Sequence, residues 1–304
     1  MLAKMKILVT GSSGLVGSAF KKIRNDYDYD FVFFSRKNCD LLQFDDSLEK
    51  ISQQKPDCVI HLAADVGGLY KNIQNNVSIF ENNILMNTNI VRICYILKLK
   101  FIGCLSTCVF PDSVDYPIME DFLFDGPPHH SNYGYSYAKR MLEVHCRSYR
   151  ESYGCDFRCF IPTNMYGPND NFNLEQAHVI PSLIHRCFVA KKNNQKFVVF
   201  GTGKPLRQFM HAEDFARIVL NEFNNDNKNP RIVCPKTENS IGEIAYLVAN
   251  NFDYKDQIIF DSTKSDGQFK KTAFCDINYN FKKIEDGIKE TVDWFNKNYL
   301  NARK

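Results

Sequence analysis

The sequence predicts an α/β fold: a doubly wound parallel sheet with a smaller C-terminal lobe. Three observations point there. Short β-branched runs alternate with helical stretches through the first half of the chain, a glycine-rich segment falls between the first run and the first helix, and the alternation loosens after Ile161. The length of 304 residues exceeds one ordinary domain and suits a large α/β domain with a second lobe built on it.

The elements follow in order. Lys6 to Thr10 reads as a buried strand, Leu15 to Arg24 as a helix, Phe31 to Phe34 as a strand, Phe44 to Gln53 as a helix and Cys58 to Leu62 as a strand. Near-continuous apolar runs of this length are what strands covered on both faces require. Phe80 to Leu97 continues as a longer helix, Phe101 to Ser106 as a strand, Tyr135 to Tyr153 as a second long helix and Phe157 to Ile161 as a strand. Beyond it, Pro162, Gly167-Pro168, Gly201-Thr202-Gly203 and the polar run Asn224 to Pro230 break the rhythm into loops and short helices. A last amphipathic helix sets Ile284, Ile288, Val292, Phe295 and Tyr299 on one stripe.

Composition narrows the function. Hydrophobic residues make up 44% and charged residues 24% of the chain, an ordinary globular balance that excludes disordered, collagenous and coiled-coil classes. The net charge of +3 is spread over pairs such as Lys191-Lys192 and Lys270-Lys271, so nucleic acid is not an expected partner. Eleven cysteines at irregular spacings, with no Cys-x-x-Cys pair, fit neither a disulfide framework nor a zinc site, and no metal is expected. Cys58 and Cys94 lie inside apolar runs, where a free thiol packs as a small hydrophobe in a reducing compartment. No apolar run approaches the ~18 residues of a membrane span, and Ile7-Leu8-Val9 is too short for a signal-peptide core. The expectation is a cytoplasmic protein without a membrane partner.

Gly11-Ser12-Ser13-Gly14-Leu15-Val16-Gly17 stands where a Rossmann-type sheet needs a tight turn, close approach to a pyrophosphate and close helix packing. The helix N-terminus behind it would receive the phosphates. A bare strand-to-helix turn could look the same, but the context after a buried first strand favours a dinucleotide. Sites preferring NAD place an acid at the end of the second strand; here the chain runs Val32-Phe33-Phe34-Ser35-Arg36-Lys37. Ser35 and Arg36 offer a hydroxyl and a guanidinium to a 2′-phosphate, so NADPH/NADP+ is the expected cofactor. The alternative is a solvated basic turn.

Tyr135 and Lys139 are four residues apart on a helix, hence on one face, where the ammonium favours the phenolate and equips the tyrosine to exchange a proton with a carbonyl or alcohol oxygen. Tyr137 has no lysine at that spacing. Ser106, at the carboxyl end of a strand, brings a second hydroxyl to the same oxygen.

With these motifs the chain resembles the extended short-chain dehydrogenase/reductase family, and within it the enzymes that act on GDP-4-keto-6-deoxy-D-mannose. Matching segments run from His61-Leu62-Ala63-Ala64 through Ser106-Thr107-Cys108-Val109-Phe110-Pro111 and Gly134-Tyr135-Ser136-Tyr137-Ala138-Lys139 to Pro162-Thr163-Asn164-Met165-Tyr166-Gly167-Pro168. His178-Val179-Ile180-Pro181, Gly201-Thr202-Gly203-Lys204-Pro205-Leu206-Arg207 and Thr263-Lys264-Ser265-Asp266-Gly267 extend the likeness over nearly the whole chain. The resemblance implies epimerisation at C3 and C5 followed by reduction of C4 with NADPH to give GDP-L-fucose. It implies Ser106, Tyr135 and Lys139 as the reductive set and Cys108 with His178 as the epimerising pair. A C4 ketone acidifies the protons on both neighbouring carbons, so one group must remove a proton and another deliver one.

Besides the glycine loop, Ser35 and Arg36, the resemblance assigns to the cofactor Asp40, Leu41, Ala63, Leu105, Ser106, Lys139, Pro162, Asn164, Met165 and His178. To the substrate it assigns Asn164, Val179, Arg186, Phe200, Arg207 and Asp266. Phe200 stands where family members commonly carry Trp, which keeps an aromatic face and loses the indole donor. Asp65 is given no role. The implied division is an NADP-binding unit over residues 1–163, with the segment about 205–230 returning to it, and a substrate-binding lobe over 164–304. A homodimer through the two long helices is also implied, because Ile84, Leu85, Ile90, Val91, Ile93 and Leu97 occupy more than one face. Rival readings are another nucleotide-sugar epimerase, a dehydratase, a plain 4-ketoreductase, or a non-catalytic NADP-binding regulator. A dehydratase needs acids directly after the strand-end Ser/Thr, where this chain has Cys108-Val109.

Overall fold

The computed structural model describes residues 4–304. Its first half alternates β1 (Lys6–Thr10), α1 (Leu15–Ile23), β2 (Asp30–Phe33), α2 (Phe44–Gln54) and β3 (Cys58–His61). There follow α3 (Leu69–Gln74), α4 (Asn76–Ile96), β4 (Lys100–Cys104), α5 (Tyr133–Tyr153) and β5 (Phe157–Pro162). With β10 (Arg231–Val233) at one edge, the strand order β10-β5-β4-β3-β1-β2, parallel at every pairing, reverses between β1 and β3 and so makes the sheet doubly wound. Ile7, Leu8, Val9, Val59, Ile60, Phe101 and Ile161 are buried in its core, which explains why these strands read as unbroken apolar runs.

Two helices depart from the periodicity reading at their N-termini. α4 starts at Asn76 rather than Phe80, because its polar first turn is held from outside: Gly134 N donates to Asn76 Oδ1 at 2.7 Å. Glycine is needed there, since a Cβ on Gly134 would lie 2.6 Å from Asn76 O. α5 starts two residues early for the same reason and ends at Gly154, whose φ of +67° makes the left-handed stop.

After β6 (Asn164–Tyr166) the chain forms α6 (Val179–Lys192), β7 (Phe197–Phe200), β8 (Leu206–Arg207) and β9 (Phe209–His211). It returns to the large sheet through α7 (Ala212–Asn221), packed on α1, and β10 (Arg231–Val233), which pairs with β5. β11 (Asn239–Ser240), α8 (Ile241–Asn251), β12 (Ile258–Asp261), β13 (Lys270–Lys271) and α9 (Ile284–Asn298) complete it. Ser240 and Glu243 form a capping box that starts α8. Ile184, Phe197, Val248, Ile288, Val292 and Phe295 build a second core, separate from that of the sheet. Among the described residues no helix is long and apolar enough to cross a membrane.

Candidate active site

A cleft of about 620 Å³ opens at the carboxyl ends of β1, β3, β4 and β5, where the strand order reverses. The glycine loop forms one wall. Gly11 has φ +66°, and a Cβ there would sit 2.6 Å from Ala63 N; a Cβ on Gly17 would sit 2.5 Å from Gly11 O. The turn is therefore closed against β3 and the first helical turn at once, as a pyrophosphate cradle requires. No side chain caps Gly14, and no acid occupies the first turn of α1, so its N–H groups face the cleft ready for an anion. Of the loop residues assigned to the cofactor, Ser13, Gly14, Leu15, Val16 and Gly17 line the cleft with Gly11. Ser12 does not: it is buried, with its N–H on Phe34 O at 3.0 Å.

Ser35 and Arg36 follow β2 at the cleft edge, with Asp40 and Leu41 beside them. The Arg36 side chain is 81% exposed and only 3.9 Å from Asp40 at its nearest, so the guanidinium is free to turn to a phosphate. Ala63, Leu105, Pro162, Asn164 and Met165 also line the cleft. The residues present thus fit a dinucleotide with a 2′-phosphate.

Beneath the loop runs a buried polar chain that the sequence reading missed. Leu62 N and Ala63 N donate to Thr10 Oγ1 at 3.2 and 3.3 Å, and Thr10 Oγ1 lies 2.9 Å from His61 Nδ1. His61 Nε2 is 3.1 Å from Asn87 Oδ1, and Asn87 Nδ2 donates to Ala138 O. The direction at Asn87 fixes the tautomer: Nε2 carries the proton and Nδ1 accepts from the threonine hydroxyl. Burial, then the Lys139 charge, lowers the His61 pKa to about 3, so the ring is neutral. The chain links the glycine loop to the residue before Lys139.

Ser106, Cys108, Tyr135, Lys139 and His178 all line the cleft. The strand expected to reach Ser106 stops at Cys104, and Ser106, two residues on, caps a one-turn helix over Thr107–Val109, accepting Cys108 N at 3.4 Å. Tyr135 is 9% exposed and Lys139 is 2% exposed. Lys139 Nζ donates to Cys104 O at 2.7 Å and lies 5.8 Å from the Tyr135 ring centroid. Burial, then the neighbouring Cys108 and Cys104 thiols, raises the Tyr135 pKa well above that of a free phenol. Burial thus opposes the phenolate that Lys139 would favour and keeps the tyrosine a proton donor. His178 caps α6, with Pro181 in that helix's first turn; the protein mass around the imidazole lowers its pKa although the ring faces open cleft space.

The residues assigned to substrate divide. Asn164 lines the cleft and donates to Gln208 O at 3.0 Å. Val179 opens α6, and two turns further on Arg186 stacks on the Phe200 ring at 3.8 Å from its centroid, outside the cleft. Asp266 accepts from Thr202 N at 2.6 Å and Thr202 Oγ1 at 2.7 Å and so braces the Gly201–Gly203 turn. Arg207 donates to the carbonyls of Leu206 and Gln268. It stands in register with Lys271, which does line the cleft. Lys271 was read only as half of a scattered basic pair; its two-residue strand gives no sequence signal. Asp170 is a second omission: it lines the cleft at 4% exposure, and burial raises its pKa to about 7.

Away from the cleft, His211, Glu213 and Glu290 come within 4.8 Å of one another, a donor set a cation could use. Lys22 bonds both carboxylates and Lys282 bonds Glu290, so ammonium groups already serve them and tie α1, α7 and α9 together.

A glycine loop at the reversal of a parallel sheet, with a serine, tyrosine and lysine converging beside it, defines a dinucleotide-dependent enzyme that works on a carbonyl or carbinol carbon. The chain belongs to the NAD dependent epimerase/dehydratase family, whose pattern it matches over residues 7–234. It is 44% identical to a protein of Dictyostelium discoideum named GDP-L-fucose synthase, over 99% of this chain and 98% of that one. It is 40% identical to a probable GDP-L-fucose synthase of Drosophila melanogaster, over 98% and 99%. A crystal structure of a GDP-L-fucose synthetase from Naegleria fowleri bound to NADP superposes with a TM-score of 0.94 at 43% identity, covering 100% of this chain and 96% of that one.

Proposed function

We propose that this enzyme makes GDP-L-fucose from GDP-4-keto-6-deoxy-D-mannose, epimerising C3 and C5 and then reducing C4 with NADPH. The observation that carries the reading is that Cys108 and His178 line the same cleft as Ser106, Tyr135 and Lys139. A reductase needs only the last three; the thiol and imidazole are what proton exchange at C3 and C5 adds. The full-length likeness to proteins named GDP-L-fucose synthase supports it.

Bound in the glycine cradle, the cofactor supplies a hydride. The chain's own residues handle protons. Cys108 as thiolate removes the proton from a carbon next to the ketone, and the electron pair moves onto the C4 oxygen, where the Ser106 hydroxyl donates a hydrogen bond. His178 Nε2 or Nδ1, once protonated, delivers a proton to the other face of that carbon, and the ketone re-forms inverted. In the reduction Tyr135 gives its phenolic proton to the C4 oxygen. The raised phenol pKa keeps that proton in place until it is needed, and the Lys139 ammonium supports the phenolate left behind.

Residues 1–163, with the returning segment about 205–230, serve as the cofactor unit in this reading, and 164–304 as the main substrate lobe. Of the residues that suggested a homodimer, Ile90, Val91 and Ile93 are buried within this chain, whereas Leu85 on α4, with Met141 and Val144 on α5, is exposed and suits an interface through these helices. The free thiols suit the cytoplasm.

The test is incubation with GDP-4-keto-6-deoxy-D-mannose and NADPH in heavy water. NADPH oxidation with two solvent deuteriums in the product is expected. Oxidation without deuterium would leave a plain 4-ketoreductase and remove the roles given to Cys108 and His178; no oxidation would mean another sugar or a binding protein.

A further inference from the structure

The segment between β6 and α6 delivers His178 to the cleft, yet it has neither helix nor strand to hold it. Its support comes from residues after α9. Arg303 pairs with Asn171 in a parallel bridge and accepts Phe172 N on its carbonyl at 2.8 Å. Its guanidinium Nη2 donates to Asn169 O at 2.8 Å. Asn169 has φ +65°, a left-handed conformation that costs energy outside glycine and persists only where the surroundings impose it. Arg303 is thus tied to three positions of the loop, Asn169, Asn171 and Phe172, through two independent groups.

The same arginine belongs to the site. Arg303, Asp170, Asn171 and His178 all line the cleft. Asp170 Oδ1 accepts Asn171 N at 2.7 Å, while Oδ2 is buried with no hydrogen-bond partner among the described residues. The nearby Arg303 charge opposes the burial of that carboxyl. From Phe172 onward the loop is stiff. The Phe172 ring lies 4.5 Å from Phe295, Phe172 O meets His185 Nδ1 at 2.7 Å, and Asn173 Oδ1 accepts from Glu175 N and Gln176 N, both at 3.0 Å. Gln176 O in turn holds Gly68 N at 2.7 Å. A displacement at Asn169 and Asp170 therefore passes to the cleft wall beside His178 instead of being absorbed.

We infer that the Arg303 side chain is a positioning residue for the loop that carries His178, and that it serves the proton-delivery half of the reaction rather than the hydride half. The inference rests on the epimerase reading above. Its mechanism is geometric: proton transfer requires the imidazole within hydrogen-bond reach of its carbon, and small misplacements of a catalytic group cost rate steeply. Ser106 lies just past β4 and Tyr135 and Lys139 on α5, and among the described residues Arg303 bonds to none of them.

The experiment compares the wild type with Arg303→Ala and Arg303→Lys, each loaded with NADP+ so that no reduction occurs, in heavy water with the 4-keto sugar. Deuterium wash-in at C3 and C5 is followed by mass spectrometry, and NADPH affinity is measured separately by fluorescence. Arg303→Ala should slow wash-in about tenfold with NADPH affinity within about twofold of wild type, and Arg303→Lys, which keeps the charge, should recover part of the rate. Wash-in equal to wild type in the alanine variant overturns the inference. So does a parallel loss of wash-in, NADPH affinity and melting temperature, since that is the signature of plain destabilisation. Should the alanine variant not fold, Arg303→Lys decides alone, with a loss of about threefold expected at unchanged melting temperature. A wild type that shows no wash-in refutes the epimerase reading itself, and this inference with it.

Discussion

Replacing His61 by leucine tests the buried chain beneath the glycine loop. The substitution keeps a side chain of similar size and removes both ring nitrogens, leaving the Thr10 hydroxyl without its acceptor and Asn87 Oδ1 without its donor. At about 1–3 kcal/mol per orphaned buried group, partly offset by the apolar leucine, the loss near pH 7.5 should be about 3 kcal/mol. The pH dependence is more telling. The ring titrates at about 3 in the folded protein against 6.5 when free, so the stability gained by holding it neutral is complete above 6.5 and is lost as pH falls toward 3. The loss runs at ~1.4 kcal/mol per pH unit, so near pH 5 the wild type has given up about 2 kcal/mol that the leucine variant never had. The gap between the two proteins should therefore narrow from about 3 to about 1 kcal/mol between these conditions, measured from urea midpoints and slopes. An equal gap at both pH values would refute a neutral, doubly bonded His61, as would a gap that widens on acidification.

Three further outcomes follow from the site and the surface. Tyr135→Phe removes the proton donor to C4 and should lower the rate of NADPH oxidation by ~10³-fold while deuterium wash-in persists, as read by absorbance and product mass. Arg36→Glu sets a carboxylate against the 2′-phosphate and should reduce the preference for NADPH over NADH at least ~10-fold, measured as the ratio of kcat/KM values. Leu85→Glu places a charge on the exposed face of α4 and should convert a dimeric mass to a monomeric one by light scattering at micromolar concentration; a wild type that is already monomeric removes the helix-pair interface.

The large sheet was legible because its inner strands are buried on both faces and therefore apolar along their length, and because Gly11 and Gly17 mark a turn only glycine fills. Helical spacing put Tyr135 and Lys139 on one face, and the glycine loop with Ser106 made that spacing specific. What escaped notice depends on partners distant in sequence. The first turn of α4 is polar and forms because Gly134, fifty-eight residues on, docks against it. His61 reads as one more residue of an apolar strand until Asn87 is placed beside it. Lys271 belongs to a strand of two residues, and Arg303 acts on a loop 134 residues away. Arg207 and Asp266 were expected to meet the substrate, but their side chains brace turns of the chain, a distinction that residue type cannot make.

The supports of the two chemistries differ in kind, and the proposed reaction gives a reason. Reduction involves one carbon and one face, and its groups stand just past a strand and on a long helix: Ser106 two residues beyond β4, Tyr135 and Lys139 on a helix packed along its length on α4. Epimerisation asks one thiol and one imidazole to serve two carbons on either side of the same ketone. Cys108 stands on a single helical turn, and His178 stands at the end of a loop held by side chains. A group that must meet both C3 and C5 depends on how closely its loop is held, whereas the groups at C4 depend on the strand and helix beneath them. Arg303 lies where that hold is set. Its contacts are strong enough to impose a left-handed Asn169 yet consist of one guanidinium bond and one bridge, which is the range in which a substitution changes the rates of the two epimerisations without unfolding the site.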